Sequence, residues 1–184
     1  MAIRTIVRLG HPALRTPAEA LPPEQLEDPE IQTLIDDMLE TMRAAEGVGL
    51  AAPQLGLELR LVVYAAVDPD RPDEKEPRLE VLVNPGIEPE SGDVVYDWEG
   101  CLSIPDLRGL VPRYPAVRVH ALDRHGKRLD FRAEGYEARI VQHEFDHLEG
   151  IVFLDRMRDL RSLCFAEEWQ KYMIQSDDEG SAVG

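Results

Sequence analysis

The chain has 184 residues, 43% hydrophobic and 30% charged, a balance that suits one domain able to fold without disulfides or a partner subunit. Acidic residues outnumber basic ones 36 to 20, for a net charge of −16, which excludes an overall basic footprint for nucleic acid. No apolar run approaches the roughly 18–20 residues of a membrane span, the first residues lack the pattern of a secretion signal, and two cysteines are too few for a disulfide scaffold, so a reducing cytoplasm is the expected setting.

Taken in chain order, "RTIVRL" near the start reads as an extended segment of the domain. In 29–46, Ile31, Leu34, Ile35, Met38, Leu39 and Met42 recur at the spacing of one buried helical stripe. Gly47 falls where a glycine cap would end that helix. The stretch "EGVGLAAPQLG" (46–56) follows at once. Its glycines permit a tight turn, and Gly47 and Gly49 would let another backbone lie against the chain. Gln54 carries an amide able to donate to a developing oxyanion. The phosphate-loop pattern GxxxxGK[ST] is absent. Segments 59–67 and 79–85 read as strands joined by a charged, proline-containing loop, and 117–122 with 127–133 as a hairpin around "DRHG". Residues 134–148 read as a second long helix stopped by Gly150, and 155–175 as a third, amphipathic one bearing Arg156, Arg158 and Arg161. The polar tail after Gln175 is expected to be disordered. Strands in the middle and helices at both ends predict a single α+β domain rather than a wound βαβ fold.

The second helix contains "QHEFDHLEG". His143 and His147 stand four apart and so share one helix face, with Tyr136 and Ile140 on the same side. Two core histidines satisfied by hydrogen bonds would give that pattern too. A pair with Glu144 directly after the first histidine favours a chelating site, with the glutamate free to handle a proton. Cys101 in "DWEGCLSIPDL", beside Gly100 where a strand would be ending, is the best third donor. Cys164, beside Leu163 and Phe165, reads as a buried, inert thiol. A Cys/His/His set leaves one coordination position open, as in catalytic rather than structural sites. A structural zinc module would need a fourth protein ligand, and a ribosome- or RNA-associated module without catalysis would rest on the third helix's arginines.

In their order and separation, "GVGLAAPQ", "EGCLS" and "QHEFDHLEG" closely resemble the three signature motifs of peptide deformylases. "GHPALR", "NPGI" and "CLSIPDLRGLVPR" are also similar to that family. The resemblance implies a catalytic domain over 1–175, ending in a tail over 176–184. It implies mixed or antiparallel sheets packed around a metal-binding helix. It further implies a metallohydrolase that removes the N-formyl group from N-terminal formylmethionine of newly made proteins, releasing formate. Cys101, His143 and His147 would be ligands of one divalent ion, Fe2+ by family habit, with Zn2+, Ni2+ or Co2+ able to substitute. Metal-activated water would attack the formyl carbon, with Glu144 as general acid and base and Gln54 and the Leu102 N–H as the oxyanion hole. Gly47, Val48, Gly49 and Gly100 would border the peptide, Arg108 would approach it, and Glu99 and Arg113 would pair behind the metal. The C-terminal helix would make any transient ribosome contact that brings nascent chains to the enzyme.

Overall fold

The computed structural model of the protein describes residues 2–66 and 77–174. The charged loop expected near residue 70 and the disorder expected over 176–184 lie outside the described residues. The helix α1 (Pro29–Ala44) precedes strands β1 (Gly49–Ala51), β2 (Leu61–Ala66), β3 (Arg78–Pro89), β4 (Val95–Cys101), β5 (Ile104–Arg113), β6 (Ala116–Leu122) and β7 (Arg128–Glu134). Helix α2 (Gly135–Leu148), the single turn α3 (Phe153–Arg156), the two-residue strand β8 (Cys164–Phe165) and α4 (Ala166–Tyr172) complete the order. The architecture is α+β, as expected. Its strands form two antiparallel sheets, ordered β1-β2-β3-β6-β7 and β4-β5-β8.

Strand β2 shows why its sequence is apolar throughout. Val62 and Tyr64 face a cluster that includes Ile140, Val141 and Leu148 of α2. Leu61 and Val63 face a second cluster that holds Leu34, Ile35, Met38 and Met42 of α1. Alternate residues of a strand point to opposite faces, and here a helix covers each face, so neither face can be polar. Truncating a fully buried side chain such as Met38 to alanine costs about 2–5 kcal/mol. A third cluster joins Leu14, Cys101, Ile104 and Val111 to Val152 and Phe153, seating the second sheet beside the end of α2.

The expected hairpin is present, with Ala116 opposite Glu134 and Leu122 opposite Arg128. Asp123 Oδ1 closes the turn by accepting from the N–H groups of His125 and Lys127 at 2.8 and 2.9 Å. Helix α1 ends as predicted within two residues, but its left-handed residue is Glu46 (φ 54°), not Gly47. The N–H of Gly47 donates to Met42 O at 2.9 Å and that of Glu46 to Arg43 O at 3.0 Å, the paired bonds of a Schellman ending. Gly47 is needed for space instead, because a Cβ there would fall 2.7 Å from Leu102 Cδ1.

The long third helix expected over 155–175 does not form. The segment is α3, a 3-10 turn at Leu160–Ser162, β8 and α4. Asp159 accepts from the Arg161 N–H at 2.9 Å, a local bond that competes with helix continuation. Cys164 and Phe165 pair instead with Arg108 and Leu107 of β5. Cys164 is therefore a half-buried strand residue, not the buried helical thiol expected. The basic cluster is also dispersed: Arg156 donates to Asp146 at 2.6 and 3.1 Å, Arg161 pairs with Asp159 at 2.7 Å, and Arg158 lies over the Tyr96 ring at 5.8 Å.

Candidate metal centre

Helix α2 packs on the first sheet through Ala138, Val141 and Leu148, which turns His143 and His147 inward, 9% and 1% exposed. Their ring centroids are 5.1 Å apart. Cys101 reaches them from the end of β4, where the register with β5 shifts between Glu99 and Cys101 before Cys101 pairs with Ile104. Cys101 Sγ lies 3.3 Å from His147 Nε2, and one donor atom from each of the three residues falls within 4.8 Å of the others. Bonds of about 2.3 Å to sulfur and 2.0–2.1 Å to nitrogen at a tetrahedral angle put those atoms about 3.5 Å apart. The donor set thus fits one small divalent ion, and no fourth such side chain joins it among the described residues.

A buried charge network fixes this set from behind. Glu99 accepts from Arg113 Nε and Nη2 at 2.9 and 3.0 Å, from Arg139 Nη1 at 2.8 Å, and from His143 Nδ1 at 2.8 Å. Burial opposes the Glu99 charge, but His143 and Arg113 outweigh it and hold the carboxyl well below the usual carboxylate range. The bond at Nδ1 leaves His143 Nε2 for a ligand, the usual way a carboxylate orients a metal-binding histidine. Burial also opposes charge on His143, yet hydrogen bonds to Cys101 and Glu99 carry it well above its ordinary value. Burial and the neighbouring His143 push His147 well below. A metal ion bound between these donors would displace any proton they share. Arg113 also donates to Asp146 at 2.5 Å, so the network runs on through Arg156 to the surface.

Glu144 lies on α2 beside these donors but turns toward β1. Its Oε2 is buried without a partner. Burial, reinforced by Glu99, pushes its carboxyl up to about 7 against the pull of His143 and Arg113, close to what a proton shuttle at neutral pH requires. Gly49 makes room for it, since a Cβ at Gly49 would fall 2.7 Å from Glu144 Cδ. Gln54 is buried, its Oε1 accepting from the Ala51 N–H at 2.7 Å and its Nε2 lying 3.6 Å from Cys101 Sγ. The amide's donor end is thereby turned toward the metal donors.

These groups floor a cleft of about 810 Å³. One wall is Gly47, Val48 and Gly49 at the start of β1, and the other is the β4 segment reaching Gly100, Cys101 and Leu102. Both β1 and β4 are end strands of their sheets, so each offers an unpaired backbone edge, the setting in which an extended peptide adds as a strand. Val48 is exposed at this edge. The guanidinium of Arg108 lies over Gly100 at the mouth.

The sequence model of the polypeptide deformylase family matches residues 3–162. The chain belongs to that family. It is 48% identical over 166 residues to peptide deformylase 2 of Bordetella bronchiseptica, covering 90% of this chain and 93% of that one. It is 46% identical to peptide deformylase 2 of Ralstonia nicotianae over the same shares of each chain. A peptide deformylase of Legionella pneumophila superposes with a TM-score of 0.75 at 37% identity over 100% of both chains. The class I type b enzyme of Acinetobacter baumannii with Met-Ala-Ser bound gives 0.77 at 37% identity, over 85% of this chain and 99% of that one. As a deformylase the chain is a hydrolase that removes the N-formyl group from nascent peptides, chemistry that in this family involves a metal ion. A structural zinc module is thereby set aside.

The site residues named from the sequence lie at this cleft, except His147, among the donors at its base, and Arg113, behind them on Glu99. Three neighbours were not foreseen. Arg139 completes the Glu99 cluster, and only its place one turn before His143 on α2 hinted at it. Trp98 and Trp169 line the outer cleft, and nothing in the motif pattern relates them. Tyr136, expected to face inward with the histidines, is instead 55% exposed at the cleft.

Proposed function

We propose that Cys101, His143 and His147 hold one divalent ion, Fe2+ by preference with Zn2+, Ni2+ or Co2+ as substitutes, and that Glu144, Gln54 and the Leu102 N–H perform the deformylation. The observation that carries this reading is the unpartnered, buried Glu144 carboxylate beside three convergent donors at the base of a strand-edged cleft. When bound, the metal supplies Lewis acidity and water acidic enough to react near neutral pH.

The protein groups divide the remaining work. The formylmethionyl chain lies extended along the β1 edge, with Gly47, Val48 and Gly49 offering backbone partners and Gly100 and Arg108 bordering the opposite side. Glu144 accepts a proton from the attacking water as its oxygen bonds to the formyl carbon. The Gln54 amide and the Leu102 N–H donate to the formyl oxygen as it becomes negative. Glu144 then gives its proton to the departing nitrogen as the C–N bond breaks. The products are formate and a free α-amine. The Met-Ala-Ser bound by the Acinetobacter baumannii enzyme has the composition of such a product and supports a peptide substrate here.

The domain is taken to be 1–175, with catalysis in the cytoplasm on emerging chains. Among the described residues no helix is long and apolar enough to cross a membrane. Transient ribosome contact through the C-terminal helix remains part of this reading. Exposed Phe165, Tyr172 and Met173 support it, whereas Arg156 and Arg161 are already paired with acids. The deciding assay is formate release from formyl-Met-Ala-Ser by protein purified without oxygen, with metal content measured on the same sample. Turnover should rise in proportion to bound metal. A folded, metal-replete protein that releases no formate would overturn the proposal.

A further inference from the structure

Both tryptophans of the chain, Trp98 and Trp169, stand on the outer wall of the cleft. Trp98 is on β4. Trp169 arrives on α4, which the pairing of Cys164 and Phe165 with Arg108 and Leu107 anchors beside the mouth. The two rings are 6.2 Å apart and inclined at 57°. Arg108 Cζ lies 5.9 Å from the Trp169 ring centroid, within the range of a cation–π contact. The same guanidinium covers Gly100 so closely that a Cβ there would fall 2.5 Å from Cζ. A glycine at 100 is thus required by the place Arg108 takes.

The guanidinium at this spot keeps donors that no acceptor takes among the described residues. Arg108 donates to its neighbour's carbonyl, Leu107 O, at 2.9 Å, and no carboxylate within 4.0 Å pairs with it among the described residues. Trp169 Nε1 is buried without a partner. With that N–H shut away from solvent, the remaining guanidinium donors on the wall of a peptide-sized cleft are the ones that suit carbonyl oxygens. An extended chain advances about 3.3 Å per residue, so residues following the formylmethionine pass Gly100 and reach this wall.

We infer that Trp169 is a positioning residue for peptide substrates: it stacks on Arg108 and holds the guanidinium over Gly100, where its remaining donors meet the carbonyls of the second and third substrate residues. The inference rests on the deformylase reading of the site. Its physical basis is preorganisation. A free arginine loses rotamer freedom on binding, whereas one already stacked does not. The effect therefore falls on binding of substrates long enough to reach the wall and leaves the chemical step alone.

The test compares formyl-Met amide with formyl-Met-Ala-Ser on the metal-loaded enzyme. Trp169→Ala should raise KM for formyl-Met-Ala-Ser about 3- to 20-fold with kcat unchanged, and alter neither constant for formyl-Met amide. Trp169→Phe should restore most of the loss, since a phenyl ring still stacks on a guanidinium. An equal loss on both substrates, or an unaltered KM for the longer one, would overturn the inference. A second measurement covers the case in which Trp169→Ala does not fold. In Trp98→Phe, Trp169 is the sole tryptophan, and its emission should change saturably as Met-Ala-Ser is added, at the concentrations that inhibit turnover. Constant emission at inhibiting concentrations would overturn the inference equally. Failure of the deformylase reading shows separately, as absence of formate release from either substrate by the unaltered protein, and the emission titration still decides the role of Trp169.

Discussion

Gly49→Ala tests the catalytic arrangement through a single added methyl group. A Cβ at Gly49 would lie 2.7 Å from Glu144 Cδ and 2.8 Å from Cγ. Ordinary carbon–carbon contact is near 3.5–4.0 Å, so the carboxyl group must retreat by about 1 Å. The clash is with the end of a flexible side chain, and Gly49 does not use a left-handed backbone. Turning Glu144 off its rotamer costs about 0.5–1.5 kcal/mol. For a chain of this size that lowers Tm by roughly 1–6 °C. Misplacing a proton-transferring group by about 1 Å costs far more in rate, on the order of 10²-fold. We therefore expect kcat for formate release to fall about 10- to 100-fold with metal content unchanged. Gly86→Ala is the control, because nothing lies within 4 Å of a Cβ there. The double variant with Glu144→Ala separates the causes. If the added methyl acts through Glu144, Gly49→Ala should reduce kcat little further in the Glu144→Ala background. An equal factor in both backgrounds would refute the reasoning and place the effect on the bound peptide instead.

Glu144→Ala alone should keep its metal and its thermal stability yet lose about 10²–10⁴-fold in turnover; loss of metal in that variant would reassign the glutamate as a ligand or a prop for one. Cys101→Ala should lose bound metal and activity together, whereas Cys164→Ala, altered on a half-buried strand beside β5, should keep both; equal metal content in the two variants would refute the ligand assignment. Glu99→Ala leaves Arg113 and Arg139 buried without their shared carboxylate, so it should lower stability by about 3–5 kcal/mol and weaken metal binding about 10- to 100-fold, measured by unfolding and by chelator competition. Iron-loaded protein should lose activity in air faster than nickel-loaded protein, since ferrous iron beside a thiolate is oxidised more readily; identical half-lives in air and under argon for the iron form would contradict this.

By itself the sequence determined what depends on short-range spacing. The i, i+4 pair His143 and His147 lies on one face of any helix, and the apolar stripe from Ile31 to Met42 has one buried side whatever it packs on. The turn at Asp123 to Lys127 is closed by its own side chain, so the hairpin was legible locally. Cys101 as the third donor was readable only because few other soft donors exist and the motifs resemble a known family. What the sequence could not carry were features created by distant segments meeting. The segment after Arg156 has helical periodicity, but strand pairing with Leu107 and Arg108 and the bond from Asp159 outweigh it, because propensity over one or two turns is weak beside tertiary contacts. The same pairing carries Trp169 to the mouth of the cleft. Only packing of the second sheet beside α2 brings Arg113, Arg139 and His143 onto one carboxylate, Glu99. Local spacing names the groups that do the chemistry, while charge, orientation and access at the site are set by long-range contacts that no local pattern encodes.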